Sequence, residues 1–141
     1  MNQTITSKSS RRKVPVYKQI SYWLFTTLLA AWLLAGGIFD VFHLPAANAI
    51  LQALGYPAYL ATILGVCKLL AVPALLYPRT RFLREWAYAG VTFDTLGAFA
   101  SHLAMKHSIG ATIAPLIMLS FAIVSYMLRP ATYRLHPATK A

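Results

Sequence analysis

The sequence predicts an all-α integral membrane protein, a bundle of four transmembrane helices with both chain ends on the cytoplasmic side. Three observations support this prediction. Hydrophobic residues make up 58% of the 141 residues and charged residues only 11%, well below the roughly 25% that is usual in soluble domains. Four apolar segments are long enough to cross a bilayer. Nearly all Lys and Arg residues lie outside those segments, in the tails and in one short loop.

Each apolar segment is close to the roughly 20 residues that a helix needs to span the hydrocarbon core. The predicted spans are 20–44, 58–77, 82–105 and 109–128. They lie in one membrane domain, which we expect to cover 18–130. Residues 1–17 are polar and basic and are predicted to form a flexible cytoplasmic tail, and 131–141 a second cytoplasmic tail. The first apolar stretch is longer than the core of a signal peptide, so we expect it to be retained.

A short helix is expected between the first two spans. Pro45 ends the first span, and the uncharged segment 46–56 then places Ile50, Leu51 and Leu54 at helical spacing. Such a segment can lie in the plane of the interface, with its apolar face towards the lipid. We therefore predict a short interfacial helix that ends at Gly55.

Basic residues determine the predicted orientation. Of the 13 Lys and Arg residues, all but Lys68 and Lys106 fall in the N-terminal tail, in the loop around 79–84 or in the C-terminal tail. Short loops follow the positive-inside rule, so this side is predicted to be cytoplasmic. The net charge of +10 is then explained by contact with anionic lipid. No nucleic-acid partner is expected, because no basic stripe lies on a soluble module.

A lysine and an aspartate lie near the middle of adjacent predicted spans. Lys68 is about 15 Å from the outer end of the second span, and Asp94 about 17 Å from the outer end of the third. Since these two spans run in opposite directions, we expect a Lys68–Asp94 ion pair inside the bundle. The pair could simply lock two helices together, or it could take part in ligand binding or proton handling, because a buried ion pair often fails to offset its desolvation.

Further polar residues are expected to line a cleft that opens outward. Asp40 and His43 share a face at the end of the first span, with Trp32 and Gly36 along the same stripe. On the third span Asp94, Ser101 and His102 also share one face. A metal held by Asp40, His43 and His102 is conceivable, but no paired histidine spacing supports it, so no metal site is predicted. The predicted binding or ion-pair residues are Asp40, His43, Lys68, Asp94, Ser101 and His102.

Two other residues have structural interpretations. Glu85 lies among Arg79, Arg81 and Arg84 near the inner end of the third span, where an interfacial salt bridge and a place in the first helical turn are expected. Cys67 is the only cysteine. It can form no intramolecular disulfide and is predicted to be a small buried hydrophobe.

The chain resembles the DoxX-like family of small four-helix membrane proteins over roughly 18–130. The resemblance rests on LGYP at 54–57, on EWAYAG at 85–90, on the Gly97-Ala98 and Ser101-His102 pairs downstream, and on the mid-span lysine. It implies a multi-pass protein of a bacterial inner membrane. The positions that it carries over are Lys68, Glu85, Trp86, Tyr88, Asp94, Ser101 and His102, of which Glu85, Trp86 and Tyr88 are expected to be structural.

The resemblance also implies a link to membrane oxidoreductase systems. One cysteine allows no dithiol chemistry, and no motif indicates stand-alone catalysis. The first functional hypothesis is therefore an accessory or quinone-site subunit, with quinone as the candidate cofactor and membrane protein subunits or further copies of the chain as partners. The second is a small proton-coupled transporter.

Overall fold

The all-α class is confirmed. The computed structural model describes residues 15–77 and 81–130, and most of these residues are helical. Residues 1–14 and 131–141, which include most of both predicted tails, lie outside the described part of the chain. The helices are α1 (Val16–Val41), α2 (Pro45–Ala53), α3 (Ala58–Leu76), α4 (Arg81–Ala104) and α5 (Ile109–Leu128).

The observed helices lie close to the predicted segments, with the largest differences at α1. This helix covers Val16–Val41 instead of 20–44. It therefore includes two residues of the predicted tail, and it ends three residues earlier than predicted. Proline begins α2, because a residue without an N–H is well suited to the first helical position. The helices α3 and α5 continue through Pro73 and Pro115, which both lie within them.

Three helix ends share one turn geometry. A residue in the left-handed conformation follows α1, α2 and α4: His43 (φ 49°), Gly55 (φ 75°) and Lys106 (φ 53°). Each turn is closed by a backbone hydrogen bond of the Schellman type. The bonds run from Leu44 N to Phe39 O (3.0 Å), from Tyr56 N to Leu51 O (2.9 Å) and from His107 N to His102 O (3.1 Å). We call the end of the structure where these turns meet the α2 end.

The four long helices close into a ring. Helix α1 packs against α3 and α5, and α4 packs against the same two helices. Helix α2 contacts α1 and α3 and lies across the end where they are joined. The buried core of the ring consists of Leu29, Leu33, Ala71, Leu75, Ala87, Tyr88, Val91 and Ala122.

Two glycines allow α1 and α3 to approach closely. A Cβ atom added at Gly65 would lie 2.8 Å from the backbone N of Val41 and 2.9 Å from Cβ of Asp40. A Cβ atom at Gly37 would lie 2.9 Å from the side chain of Leu69 and 3.0 Å from the carbonyl oxygen of Gly65. Small residues permit such backbone contact between helices, as in membrane helix pairs.

The distribution of polar and apolar side chains suits a lipid environment. Large apolar side chains such as Leu24, Ile63 and Ile117 are exposed around the ring. The buried polar and charged residues, in contrast, are Thr26, Asp40, Arg84, Thr95, Ser125 and Arg129. Three described helices, α1, α3 and α5, are long and apolar enough to cross a membrane.

A buried hydrogen-bond network joins three helices in the half of the ring away from the α2 end. The Thr26 hydroxyl donates to the carbonyl oxygen of Tyr22 (2.7 Å) and lies 2.7 Å from Oγ of Ser125. The Tyr88 hydroxyl is also 2.7 Å from Oγ of Ser125. Because these groups satisfy one another, α1, α4 and α5 can bury polar atoms without leaving them unpaired.

The structure corrects the expected place of Glu85 in the first turn and the expected burial of Cys67. Glu85 is the fifth residue of α4, beyond the first turn, and its carboxylate pairs with the Arg129 guanidinium at 2.5 Å. Among the expected partners, Arg84 instead donates to the carbonyl oxygen of Tyr77 at 2.9 Å. Cys67 is exposed on the outer surface of α3 and is not buried. The salt bridge of Glu85 with Arg129, the residue that follows α5, connects the C-terminal end of α5 to α4.

We predict that Gly65→Ala destabilises the protein by about 1–3 kcal/mol, because the added methyl group meets backbone atoms of α1 that cannot move independently. The matched control is Gly90→Ala, since a Cβ atom there meets nothing within 4 Å. Unfolding in mixed detergent micelles, followed by circular dichroism, measures the difference. Equal stability of the two variants would contradict the close packing of α1 and α3.

Candidate functional site

A partly open cavity of about 730 Å³ lies between the helices of the ring, in the half nearer the α2 end. Helix α2 covers part of it, and all four long helices contribute to its wall. Most of the lining is apolar, which is usual for sites that hold small organic ligands. The large apolar side chains of the wall include Trp32, Phe39, Leu54, Leu64, Phe93 and Met118.

The charged part of the wall consists of one lysine between two carboxylates. Nζ of Lys68 donates to Oδ2 of Asp40 at 2.8 Å and lies 3.7 Å from Oδ2 of Asp94. The Asp40 side chain is 11% exposed, Lys68 23% and Asp94 26%. The expected pair of Lys68 and Asp94 is therefore present, but Asp40 is the closer partner. We call these three residues the charged triad.

The geometry of α1 and α3 explains why Lys68 reaches Asp40. Helical side chains lean towards the N-terminus of their own helix. For α3 this direction leads towards the α2 end, where Gly65 lies against Asp40. A Cβ atom added at Gly36 would lie 3.8 Å from Cδ of Lys68, which shows that the lysine stem passes over this glycine. The small residues of the interface thus leave a path for the side chain.

The rim of the cavity at the α2 end carries neutral polar groups. The Tyr56 hydroxyl, from the turn between α2 and α3, lies 2.6 Å from Oγ of Ser101. Ser101 also donates to the carbonyl oxygen of Gly97 at 2.8 Å. Nδ1 of His102 lies 2.9 Å from Nδ1 of His107. Since two imidazole nitrogens can share only one proton in such a contact, one ring donates and the other accepts.

His43 does not line the cavity, in contrast to the predicted cleft. Its Nε2 lies 2.9 Å from Oγ1 of Thr62, and its Nδ1 lies 3.3 Å from Oδ1 of Asn48. Asn48 in turn donates to the carbonyl oxygen of His43 at 2.9 Å. Because His43 occupies the left-handed position of the turn after α1, its ring points towards α2 and α3. It stabilises this turn and contributes nothing to the cavity wall.

The structure brings five of the six predicted binding residues to one cavity. Asp40, Lys68, Asp94, Ser101 and His102 all line it. The three residues expected to be structural lie elsewhere: Tyr88 is buried in the hydrogen-bond network, Glu85 pairs with Arg129, and Trp86 is 66% exposed.

Sequence reasoning missed the role of Tyr56 at the rim and the contact between Asp40 and Lys68. The Gly55-Tyr56-Pro57 turn could have indicated the first, because a glycine in the left-handed position directs the next residue back over the helix end.

No group of three or more His, Cys, Asp or Glu side chains in the described residues is arranged to hold a metal ion. His102 contacts His107, not His43, and Asp40 contacts Lys68. The charged triad instead offers an ammonium donor next to a carboxylate acceptor. Together with the apolar wall, it can orient a molecule that has a polar group at one end and a hydrophobic remainder.

The fold and the cavity define a small helical protein with an apolar outer surface and a partly open cavity that has a charged wall. Comparison with protein families identifies it further: the profile of the DoxX-like family matches residues 24–125. The chain belongs to the DoxX-like family. No match was found among curated proteins or among solved structures.

We predict that Asp40→Asn destabilises the protein more than Asp94→Asn does. The first change weakens a charge-assisted hydrogen bond at 2.8 Å, at a cost of about 1.5–3 kcal/mol. The second weakens only an ion pair at 3.7 Å in a partly exposed position, at a cost of about 0–1 kcal/mol. Detergent-induced unfolding of both variants tests the order. The opposite order would mean that Asp94 is the main partner of Lys68.

Proposed function

We propose that the chain is a multi-pass protein of a bacterial inner membrane, in which α1, α3, α4 and α5 form a transmembrane four-helix bundle with both ends in the cytoplasm. Helix α4 is less apolar than the other three, but it packs between α3 and α5. Its polar residues Arg84, Asp94 and Thr95 are shielded within the ring, while Phe82 and Trp86 are exposed. A bilayer accepts a helix of this kind when the polar face points inward.

The proposed orientation predicts which positions are accessible from outside. In a Cys67→Ser background, Gln52→Cys on α2 is expected to react with a membrane-impermeant maleimide in intact cells, because α2 would lie at the outer interface. Lys18→Cys on α1 is expected to react only after the cells are opened. Both positions are exposed, so the two variants are matched. Reaction of Lys18→Cys in intact cells would contradict the proposed orientation and place the N-terminal end of α1 outside.

We further propose that the protein binds a lipid-phase quinone and acts as an accessory or quinone-site subunit of a membrane oxidoreductase system. The observation that carries this proposal is the position of the charged triad in the wall of a large and otherwise mainly apolar cavity. Lys68 can donate a hydrogen bond to a quinone carbonyl, and aromatic residues such as Trp32 and Phe39 can contact the ring. The remaining wall suits a prenyl tail.

The proposed division of labour follows from the residues that the chain has. The charged triad positions a head group, and the α2 end with Tyr56 and Ser101 separates it from the outer interface. The chain supplies a single cysteine, which cannot form a dithiol. Electron transfer would therefore be assigned to a partner subunit, which agrees with an accessory role.

Quenching of Trp32 fluorescence tests the ligand. The chain has three tryptophans, so the measurement uses a Trp23→Phe, Trp86→Phe background in which Trp32 is the remaining indole. We expect decyl-ubiquinone to quench its fluorescence saturably, since Trp32 lines the cavity and quinones accept excitation energy and electrons from indole. Ala98→Phe is expected to weaken binding at least tenfold, because it fills the cavity. Ala100→Phe is the matched control, because Ala100 is exposed and does not line the cavity. Equal quenching of both variants would place the quinone elsewhere.

Gentle extraction of the native membrane tests the proposed partnership. The expected result is co-purification of the chain with a redox protein and with endogenous quinone. A protein that runs alone and contains no quinone in the lipid extract would contradict the accessory role. If endogenous quinone is lost from the Ala98→Phe variant but retained by Ala100→Phe, the quinone in the native membrane occupies the same cavity as the added decyl-ubiquinone.

A small proton-coupled transporter is the second candidate, and the presence of two carboxylates around one ammonium favours it. Such a triad can hold an additional proton, and Asp94 is accessible from the cavity. For this function we expect a pH gradient to drive solute uptake into liposomes, and Asp94→Asn to abolish the dependence on the gradient. Uptake that is identical for wild type and variant would exclude it.

A further inference from the structure

We propose that the site selects the reduced form of its ligand, a hydroquinone, over the oxidised quinone. This inference rests on the proposed quinone site and specifies its ligand. It starts from the unequal partnering of the two carboxylates. Oδ2 of Asp40 accepts a hydrogen bond from Lys68 at 2.8 Å. The corresponding distance for Asp94 is 3.7 Å, which is too long for a hydrogen bond.

Asp94 is therefore only weakly partnered. Among residues 15–77 and 81–130 its charged partner is Lys68, and the two groups are 3.7 Å apart. Its side chain lines a mainly apolar cavity, where water competes less well than in bulk. A carboxylate in such surroundings is strongly stabilised by a donor. A ligand that brings an O–H group can supply one.

Lys68 has the complementary property. Its ammonium group has three N–H donors, of which one is used by Asp40. Since Lys68 also lines the cavity, a second donor is available to a ligand. The cavity thus presents a donor and an acceptor 3.7 Å apart. An oxygen atom at roughly 2.8 Å from both atoms fits between them with ordinary hydrogen-bond lengths.

Only one oxidation state of a quinone can use both groups. A hydroquinone hydroxyl donates its proton to Asp94 and accepts from Lys68 through the same oxygen. A quinone carbonyl only accepts, so it engages Lys68 and leaves Asp94 with its long contact to Lys68 alone. The additional hydrogen bond to a charged acceptor is expected to make the hydroquinone bind roughly tenfold to a hundredfold more tightly. No electron transfer is required for this preference.

Anaerobic calorimetry with two matched probes, decyl-ubiquinol and decyl-ubiquinone, tests the inference on the purified full-length chain. We expect the quinol to bind at least tenfold more tightly to the wild type. Asp94→Asn is expected to bring the two affinities within about threefold of each other, mainly by weakening quinol binding. Retained quinone binding by this variant shows that it is folded. Lys68→Met is expected to weaken binding of both probes.

The outcomes separate the inference from the proposed function. Equal affinities for the two probes, or tighter binding of the quinone, would overturn the preference and leave the quinone site standing. An unchanged preference in Asp94→Asn would overturn the role of Asp94. Binding of neither probe would overturn the quinone site itself. Binding of decylamine in place of both probes would assign the cavity to a lipophilic cation.

Discussion

The partial burial of one ammonium group, that of Lys68 with a side chain 23% exposed, is the constraint on which the cavity depends. A charge removed from water is tolerated only when a counter-charge is close and well oriented. Lys68 meets this requirement through Asp40 at 2.8 Å, and that contact is possible because Gly65 allows α1 to touch α3. The ion pair therefore depends on the close approach of α1 and α3, which in turn depends on the two glycines. A change in any of them is expected to alter the shape of the cavity.

Two polar regions of the interior differ in how completely their groups are partnered. In the half away from the α2 end, Thr26, Ser125 and Tyr88 satisfy one another, and Arg129 covers Glu85. These groups have partners within the protein and stabilise the packing of the helices that they join. In the half nearer the α2 end, Asp94 has only a distant partner. An incompletely partnered carboxylate costs stability, and this one lines the cavity.

The sequence predicted the helices well and the contacts less well, for physical reasons. Apolar length is a local property, so four long helices and a short one could be recognised directly. The number of residues from the helix ends placed Lys68 and Asp94 at the same depth in the membrane. Such a count gives only the approximate height of each Cα atom. Asp40 was not recognised as a partner of Lys68, because depth along the helix describes the Cα position. A lysine side chain leans along its helix by several ångströms from that position. His43 was misplaced because a left-handed turn residue does not continue the helical face.

The turn after α4 differs from the other two in the side chains that flank its closing hydrogen bond. In a Schellman turn, the side chains that flank the closing hydrogen bond usually make an apolar contact. Phe39 with Leu44 and Leu51 with Tyr56 occupy these positions after α1 and α2. After α4 the same positions hold His102 and His107, whose imidazoles hydrogen-bond to each other. Termination alone would be served by two apolar residues, whereas a polar pair at this place keeps a hydrogen-bonding edge beside the cavity.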